Sequence, residues 1–86
     1  MKSLIENYVS TLTVEKLKEF ALKNNIHLNQ EELEFILNMI KESWNDILND
    51  ETKYLEKLKD KLDKDNFNKI KELVLHYKKK YKSYLF

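Results

Sequence analysis

The sequence predicts an all-α fold, and three observations lead to that prediction. The 86 residues include neither Gly nor Pro, whereas β-rich folds normally use these residues at their turns. Lys, Leu, Glu and Asn dominate the composition; the first three favour helix, and Asn is well suited to helix caps. Apolar residues recur at spacings of three and four, which defines one face of a helix. We therefore predict a compact bundle of four to five helices without a sheet.

Recurring capping signals divide the chain into these helices. In LTVEKL, Thr13 is a good N-cap, and leucines on either side have the spacing of a hydrophobic staple. LNQEEL repeats the device with Asn29 as the cap and Glu32 placed to complete a capping box, and LDKDNF repeats it with Asp63. Because this combination of an N-cap and a hydrophobic staple recurs at three helix starts, we interpret it as a signal for the start of a helix and not as a duplicated functional motif. The predicted helices cover about residues 3–10, 14–24, 30–48, 51–61 and 64–85.

The ends of the middle helices have their own signals. The pair Asn24–Asn25 can supply the left-handed residue that ends the second helix, a role usually taken by Gly. Asn49 or Asp50 is expected to start the fourth helix. Connections of two to five residues are typical of neighbouring helices in a bundle.

The third helix is predicted to be central because it is apolar on two sides. Its main stripe consists of Leu33, Ile36, Leu37, Ile40, Trp44, Ile47 and Leu48. Phe35 and Met39 lie away from the centre of that stripe. Two interpretations stay open for them: packing under the first or second helix, or a surface for a partner or for self-association.

The fifth helix combines an apolar stripe with a lysine-rich face. Its apolar stripe consists of Phe67, Ile70, Val74, Tyr77, Tyr81 and Tyr84. Leu75 points among the lysines instead, and Phe86 projects the same way if the helix persists. Clustered exposed apolar residues suggest a contact surface, so Leu75 and Phe86 join Phe35 and Met39 as candidate partner-binding residues. The candidate phosphate-binding lysines are Lys71, Lys78, Lys79, Lys80 and Lys82.

Composition excludes several classes of site. Without Cys there is no disulfide or Cys-based metal centre, and without Gly there is no glycine-rich phosphate loop. All 16 basic residues are Lys, so bidentate reading of guanine by Arg is excluded. His27 and His76 lack metal-ligand spacing. We expect no catalytic, cofactor or metal site.

Length and hydropathy indicate one domain, residues 1–86. No apolar run is long enough for a membrane span, and the first residues lack the apolar core of a signal peptide. We therefore expect a cytoplasmic protein that does not engage a membrane. Charge is unevenly placed: residues 1–50 hold five Lys and nine acids (−4), and residues 51–86 hold eleven Lys and six acids (+5).

The segment LIENYVSTLTVEKLKEFALKNNIHLNQEELEFILNMIK resembles the first half of the domain of unknown function 2624 family, small proteins of Bacillota. The resemblance rests on the short helix before LT, on KEFALKNNIHL and on the acidic start of the next helix, over about residues 4–48. It implies an all-helical fold and supplies no functional residue. More loosely, LTVEKLKEFALKNNIHL is similar to the helix-turn-helix opening of SAP-like and Rho N-terminal-like nucleic-acid-binding modules.

Two functional hypotheses follow. The first is a non-catalytic interaction module that binds a protein partner or itself, possibly as a homodimer, through apolar helix faces with a charged rim. The alternative is weak, sequence-independent nucleic-acid binding through the C-terminal lysines.

Overall fold

The computed structural model consists of five helices with the third at the centre, and it describes the backbone of residues 2–85 and the side chains of residues 5–47 and 49–80. The helices are α1 (Lys2–Thr11), α2 (Val14–Lys23), α3 (Gln30–Asn49), α4 (Thr52–Lys61) and α5 (Lys64–Leu85). Residues 2–85 contain no strand, so the all-α prediction is confirmed. Every observed helix boundary lies within one residue of its predicted position.

The predicted caps form at three helix starts. The hydroxyl of Thr13 accepts a hydrogen bond from the amide three residues later at 3.2 Å. Asn29 and Glu32 form the reciprocal capping box, with distances of 2.8 and 2.9 Å. Asp63 Oδ1 accepts from the amide three residues later at 2.7 Å. Each cap satisfies amides that the first helical turn leaves without a backbone partner.

The loops on either side of α3 also follow from local chemistry. Asn25 ends α2 in the left-handed region at φ 64°, which Asn tolerates better than most residues other than Gly. The sequence predicts that Asn49 or Asp50 starts α4; Asp50 Oδ1 does accept from the amide of Thr52 at 3.1 Å, but neither residue is the N-cap. The N-cap residue itself is Glu51, whose side chain makes no capping bond.

The core lies where α3 meets its neighbours. Leu33 and Ile26 are almost completely buried, at 1% and 2% exposure. Leu33 belongs to a cluster with Leu17 of α2, Ile36 of α3 and Leu58 of α4. α3 packs against α1, α2 and α4, and α5 packs against α4. The prediction that α3 is central is therefore confirmed.

α3 is kinked at Ser43, where the sequence predicts a continuous helix. Ser43 has φ −136° and ψ 17°, which lies outside the helical region and separates residues 30–42 from residues 44–49. Neither Pro nor Gly is present to mark the bend, although these residues are common causes of kinks. The second part of α3 consequently takes a direction of its own as it approaches α4.

Candidate protein-binding groove

A groove lies between α3 and α4 at the level of the Ser43 kink, with a volume of about 180 Å³. Phe35 and Met39 of α3 and Tyr54 of α4 line it, and all three are half-buried. Phe35 and Met39 pack partly against the main core. They are therefore fixed in position on one side and accessible on the other. Apolar side chains that the core holds in place on one side and that solvent reaches on the other are typical of a binding groove.

An ion pair joins α3 and α4 near Phe35, one of the residues that line the groove. Lys61, in the last turn of α4, donates a 2.6 Å hydrogen bond to Glu31, in the first turn of α3. The pair shows that the two helices run antiparallel, and each charge is on the helix end that the macrodipole favours. The hydrogen bond from Lys61, and then the positive charge of Lys61, lower the pKa of Glu31. The Lys61 ammonium also lies 5.6 Å from the ring centroid of Phe35.

Opposite charges flank the apolar residues of the groove. Exposed Glu42 stands on the α3 side, and exposed Lys57 stands on the α4 side. The ammonium groups of Lys53 and Lys57 lie 5.8 and 5.6 Å from the ring centroid of Tyr54, within the range of a cation–π contact. Among the ion pairs of the described residues, none includes Glu42 or Lys57. The groove thus has one acidic edge and one basic edge, both with charges that lack an ionic partner.

A second ion pair attaches α5 near the start of α4. Lys78 of α5 donates a hydrogen bond to Glu51, and their side chains are 31% and 17% exposed. This hydrogen bond is the largest cause of the lowered pKa of Glu51, with smaller contributions from the residue's own amide and from the charge of Lys78. Burial and the neighbouring Asp50 charge oppose the shift.

The four predicted partner-binding residues do not form one surface. Phe35 and Met39 line the groove together, beside α4, an element that neither of the sequence interpretations named. Leu75 is 41% exposed on α5, as predicted, but it is not among the residues of the groove. Phe86 lies outside the described residues. The sequence analysis did not identify Tyr54, Glu42 and Lys57 as binding residues. The signal that the sequence offered was a tyrosine among lysines on α4, and it gave no sign of Glu42.

The predicted phosphate-binding lysines also do not form one uniform surface. Lys71, Lys79 and Lys80 are exposed. Lys78 is half-buried and paired with Glu51, so its charge is partly compensated within the chain. The side chain of Lys82 lies outside the described residues.

A larger depression of about 390 Å³ lies beside α2 and α5. It is lined by Asn24, Leu73, His76 and Lys69 together with one glutamate. Lys69 already bonds to the carbonyl of Asn25 at 2.9 Å and pairs with Asp65 at 3.1 Å. Lys69, the lysine that lines this depression, is therefore engaged within the chain.

Within the part of the chain that the structure describes, no group of three or more His, Asp or Glu side chains is arranged to hold a metal ion. The same residues include no helix that is long and apolar enough to cross a bilayer.

The fold is that of a small all-α protein. Its groove is an apolar channel between two antiparallel helices, with an acidic residue at the α3 edge and a basic residue at the α4 edge. The model of the family described as Protein of unknown function (DUF2624) matches residues 1–78. The chain therefore belongs to this family, and the match extends well past residues 4–48, where the sequence resemblance was clearest, into α5. A search of the curated proteins and a search of the solved structures gave no match.

Proposed function

We propose that this protein is a non-catalytic interaction module whose α3–α4 groove binds a helical surface of another polypeptide chain. The single observation that carries the proposal is the groove itself, in which half-buried Phe35, Met39 and Tyr54 lie between Glu42 and Lys57. Helix-in-groove recognition uses apolar anchors seated between helices, with charges at the margin that set orientation. The cytoplasmic location expected from the sequence stays a prediction.

The chemistry of the groove favours a helix as its occupant. The apolar positions come from two antiparallel helices, so one helix of a partner, or a matching pair of helices, can pack along them with side chains at spacings of three and four. Aromatic and methionine side chains are common at the centre of interfaces, because they bury a large apolar area and Met adapts its shape. An occupant with both acidic and basic side chains would satisfy both edges.

Site-directed photo-crosslinking tests the proposal. A photoreactive amino acid at Asn38, an exposed residue that lines the groove, is expected to capture a discrete polypeptide in native lysate. The purified polypeptide should then bind the unmodified protein. Its affinity should fall at least about tenfold for Met39→Glu, which places a charge at an apolar contact.

The matched control carries the same photoreactive residue at Glu19, an exposed position on α2. Equal capture at Glu19 and Asn38, or binding that is unchanged by Met39→Glu, would contradict the proposal. Circular dichroism of each variant establishes that it is folded before binding is measured.

Nucleic-acid binding through α5 is the second candidate. It is supported by the exposure of Lys71, Lys79 and Lys80 on one helix. It requires that affinity for single- or double-stranded DNA fall steeply with salt, because each phosphate contact releases counterions. The Lys78–Glu51 pair and the net charge of +1 favour the groove over this alternative. Absence of any DNA mobility shift at low salt would eliminate it.

A further inference from the structure

We infer that the occupant of the α3–α4 groove is a second copy of this chain, related by a twofold axis that runs parallel to the groove. This inference rests on the proposed function and specifies its partner. The observation behind it is the arrangement of charge across the groove, with Glu42 on one side and Lys57 on the other, neither of which forms an ion pair with another described residue.

The two edges have opposite sign along their length. The α3 edge carries Glu31 and Glu42, and the α4 edge carries Lys53, Lys57 and Lys61. Asp60, which lies between Lys57 and Lys61 in the chain, reduces the positive charge of α4 without reversing it. Because Lys61 is bound to Glu31 within the chain, Glu42 and Lys57 are the charges best placed to meet another molecule.

The direction of the twofold axis determines which charges of the two copies meet. When two copies face each other across a twofold axis parallel to the groove, α3 of each copy lies over α4 of the other. Glu42 and Lys57 both line the groove, so the acidic edge of each copy faces the basic edge of the other, and the contact between Glu42 of one copy and Lys57 of the other occurs twice in one symmetric interface. When the axis runs across the groove instead, α3 lies over α3 and like charges meet. The charge pattern therefore favours one geometry and opposes the other.

The same contact covers the apolar residues of the groove. Phe35 and Met39 of one copy would face the α4 side of the other copy's groove, where Tyr54 lies, and one isologous patch would contribute apolar area from both sides. The net charge of +1 for the whole chain gives little repulsion between copies.

The size of the patch sets the expected strength. α4 has 10 residues, so it is about 15 Å long. A contact along one such helix pair is at the small end of specific interfaces, below about 1,200 Å² in total. We therefore expect a reversible dimer with a Kd of about 1 μM or weaker, populated at high protein concentration.

Complementary charge reversal tests the inference. Sedimentation equilibrium of the unmodified chain is expected to show concentration-dependent conversion of the 10.5 kDa monomer to a species of twice that mass. Glu42→Lys alone and Lys57→Glu alone should each weaken dimerisation about tenfold or more, because every symmetric copy then meets like charge. An equimolar mixture of the two variants should form a 1:1 heterodimer, since both cross-contacts become complementary. The double variant carrying both changes should dimerise with itself again.

The control for the charge change is Glu19→Lys on α2, which alters net charge by the same amount as Glu42→Lys and should leave dimerisation unchanged. Two results overturn the inference. The first is that the unmodified chain remains a monomer up to about 1 mM, the Kd range of the weakest specific complexes. The second is that it dimerises but the mixture of the two variants shows no preference for the heterodimer. If the chain stays monomeric while photo-crosslinking at Asn38 captures a different protein that binds the groove, the twofold dimer is excluded and the interaction function stands. If neither binding event occurs, both proposals fail.

Discussion

Asn66 of α5 donates a 2.9 Å hydrogen bond from its side-chain amide to the backbone carbonyl of His27, 39 residues earlier in the chain. Asn66 is 8% exposed, and its amide also lies 3.4 Å from Asp63 Oδ2. The bond joins the start of α5 to the connection between α2 and α3. A buried amide of this kind fixes how two distant segments dock, because leaving it without a partner is costly.

Replacing Asn66 by Ala should therefore destabilise the protein by about 1–3 kcal/mol, the usual cost of breaking a buried hydrogen bond. Urea denaturation followed by circular dichroism, at a fixed low protein concentration, measures the change. Asn68→Ala, at an exposed position two residues further along the same helix, is the matched control and should change stability by less than about 0.5 kcal/mol. Equal effects of the two substitutions would show that the contact with His27 contributes little.

The capping box at α3 gives a second prediction. Asn29→Ala removes the acceptor for the amide of Glu32 and should cost about 1 kcal/mol in the free energy of unfolding. Asn29→Asp keeps an acceptor at the same place and should restore most of that loss. If the aspartate variant were as unstable as the alanine variant, the cap would not be the source of the effect.

Burial predicts different costs for two leucines. Leu33 is 1% exposed and Leu22 is 46% exposed. Leu33→Ala should destabilise the protein by about 2–5 kcal/mol, because it removes apolar contacts and leaves a cavity. Leu22→Ala should change the free energy of unfolding by less than about 0.5 kcal/mol. Comparable losses in the two variants would mean that the core has been placed on the wrong face of the helices.

The Glu51–Lys78 pair makes stability depend on pH in a defined direction. The hydrogen bond from Lys78 lowers the pKa of Glu51 below its ordinary value of 4.5. A depressed pKa in the folded state means that the ionised carboxylate contributes stability above the ordinary value. That contribution is lost as the pH falls below 4.5 and through the folded-state pKa.

Glu51→Gln should therefore reduce stability by about 1 kcal/mol at pH 7, the upper range for a partly exposed pair. The difference from the unmodified chain should shrink as the pH falls below 4.5 and through the lowered folded-state pKa of Glu51, because the native glutamate then becomes protonated as well. Denaturation curves at a series of pH values measure it. Glu56→Gln, at an exposed position of α4, serves as the control. A Glu51→Gln effect that stays the same size at every pH, down to the acid limit at which the protein remains folded, would exclude the ion pair as its cause.

The parts of this fold that sequence predicted well are those fixed by chemistry within four residues. Thr13, Asn29 and Asp63 were identified as caps because each cap is decided by its own side chain and the amides just after it. The pair Asn24–Asn25 was predicted to end α2 for the same reason, and Asn25 is the residue of the pair that takes the left-handed conformation. Helix boundaries and the central position of α3 followed from these signals and from apolar spacing.

What sequence could not predict depends on contacts between distant segments. Phe35 and Met39 were recognised as surplus apolar residues, but nothing local shows that α4 brings Tyr54 and Lys57 alongside them. The Lys78–Glu51 pair joins residues 27 positions apart and changes the meaning of a lysine face that looked uniform in the sequence. The kink at Ser43 is not marked by a Pro or a Gly, so no local signal predicted it.

The central claim, that the α3–α4 groove is a protein-binding surface, is tested most directly at Met39. The chain has two methionines, so methyl-labelled methionine gives two resonances, and Met39→Leu assigns the one from the groove. The account predicts that the Met39 methyl resonance shifts or broadens as protein concentration rises, or as the crosslinked partner is added, because its exposed side becomes covered. A Met39 resonance that stays unchanged up to about 1 mM, the weakest Kd of specific association, and in the presence of every captured polypeptide would contradict it.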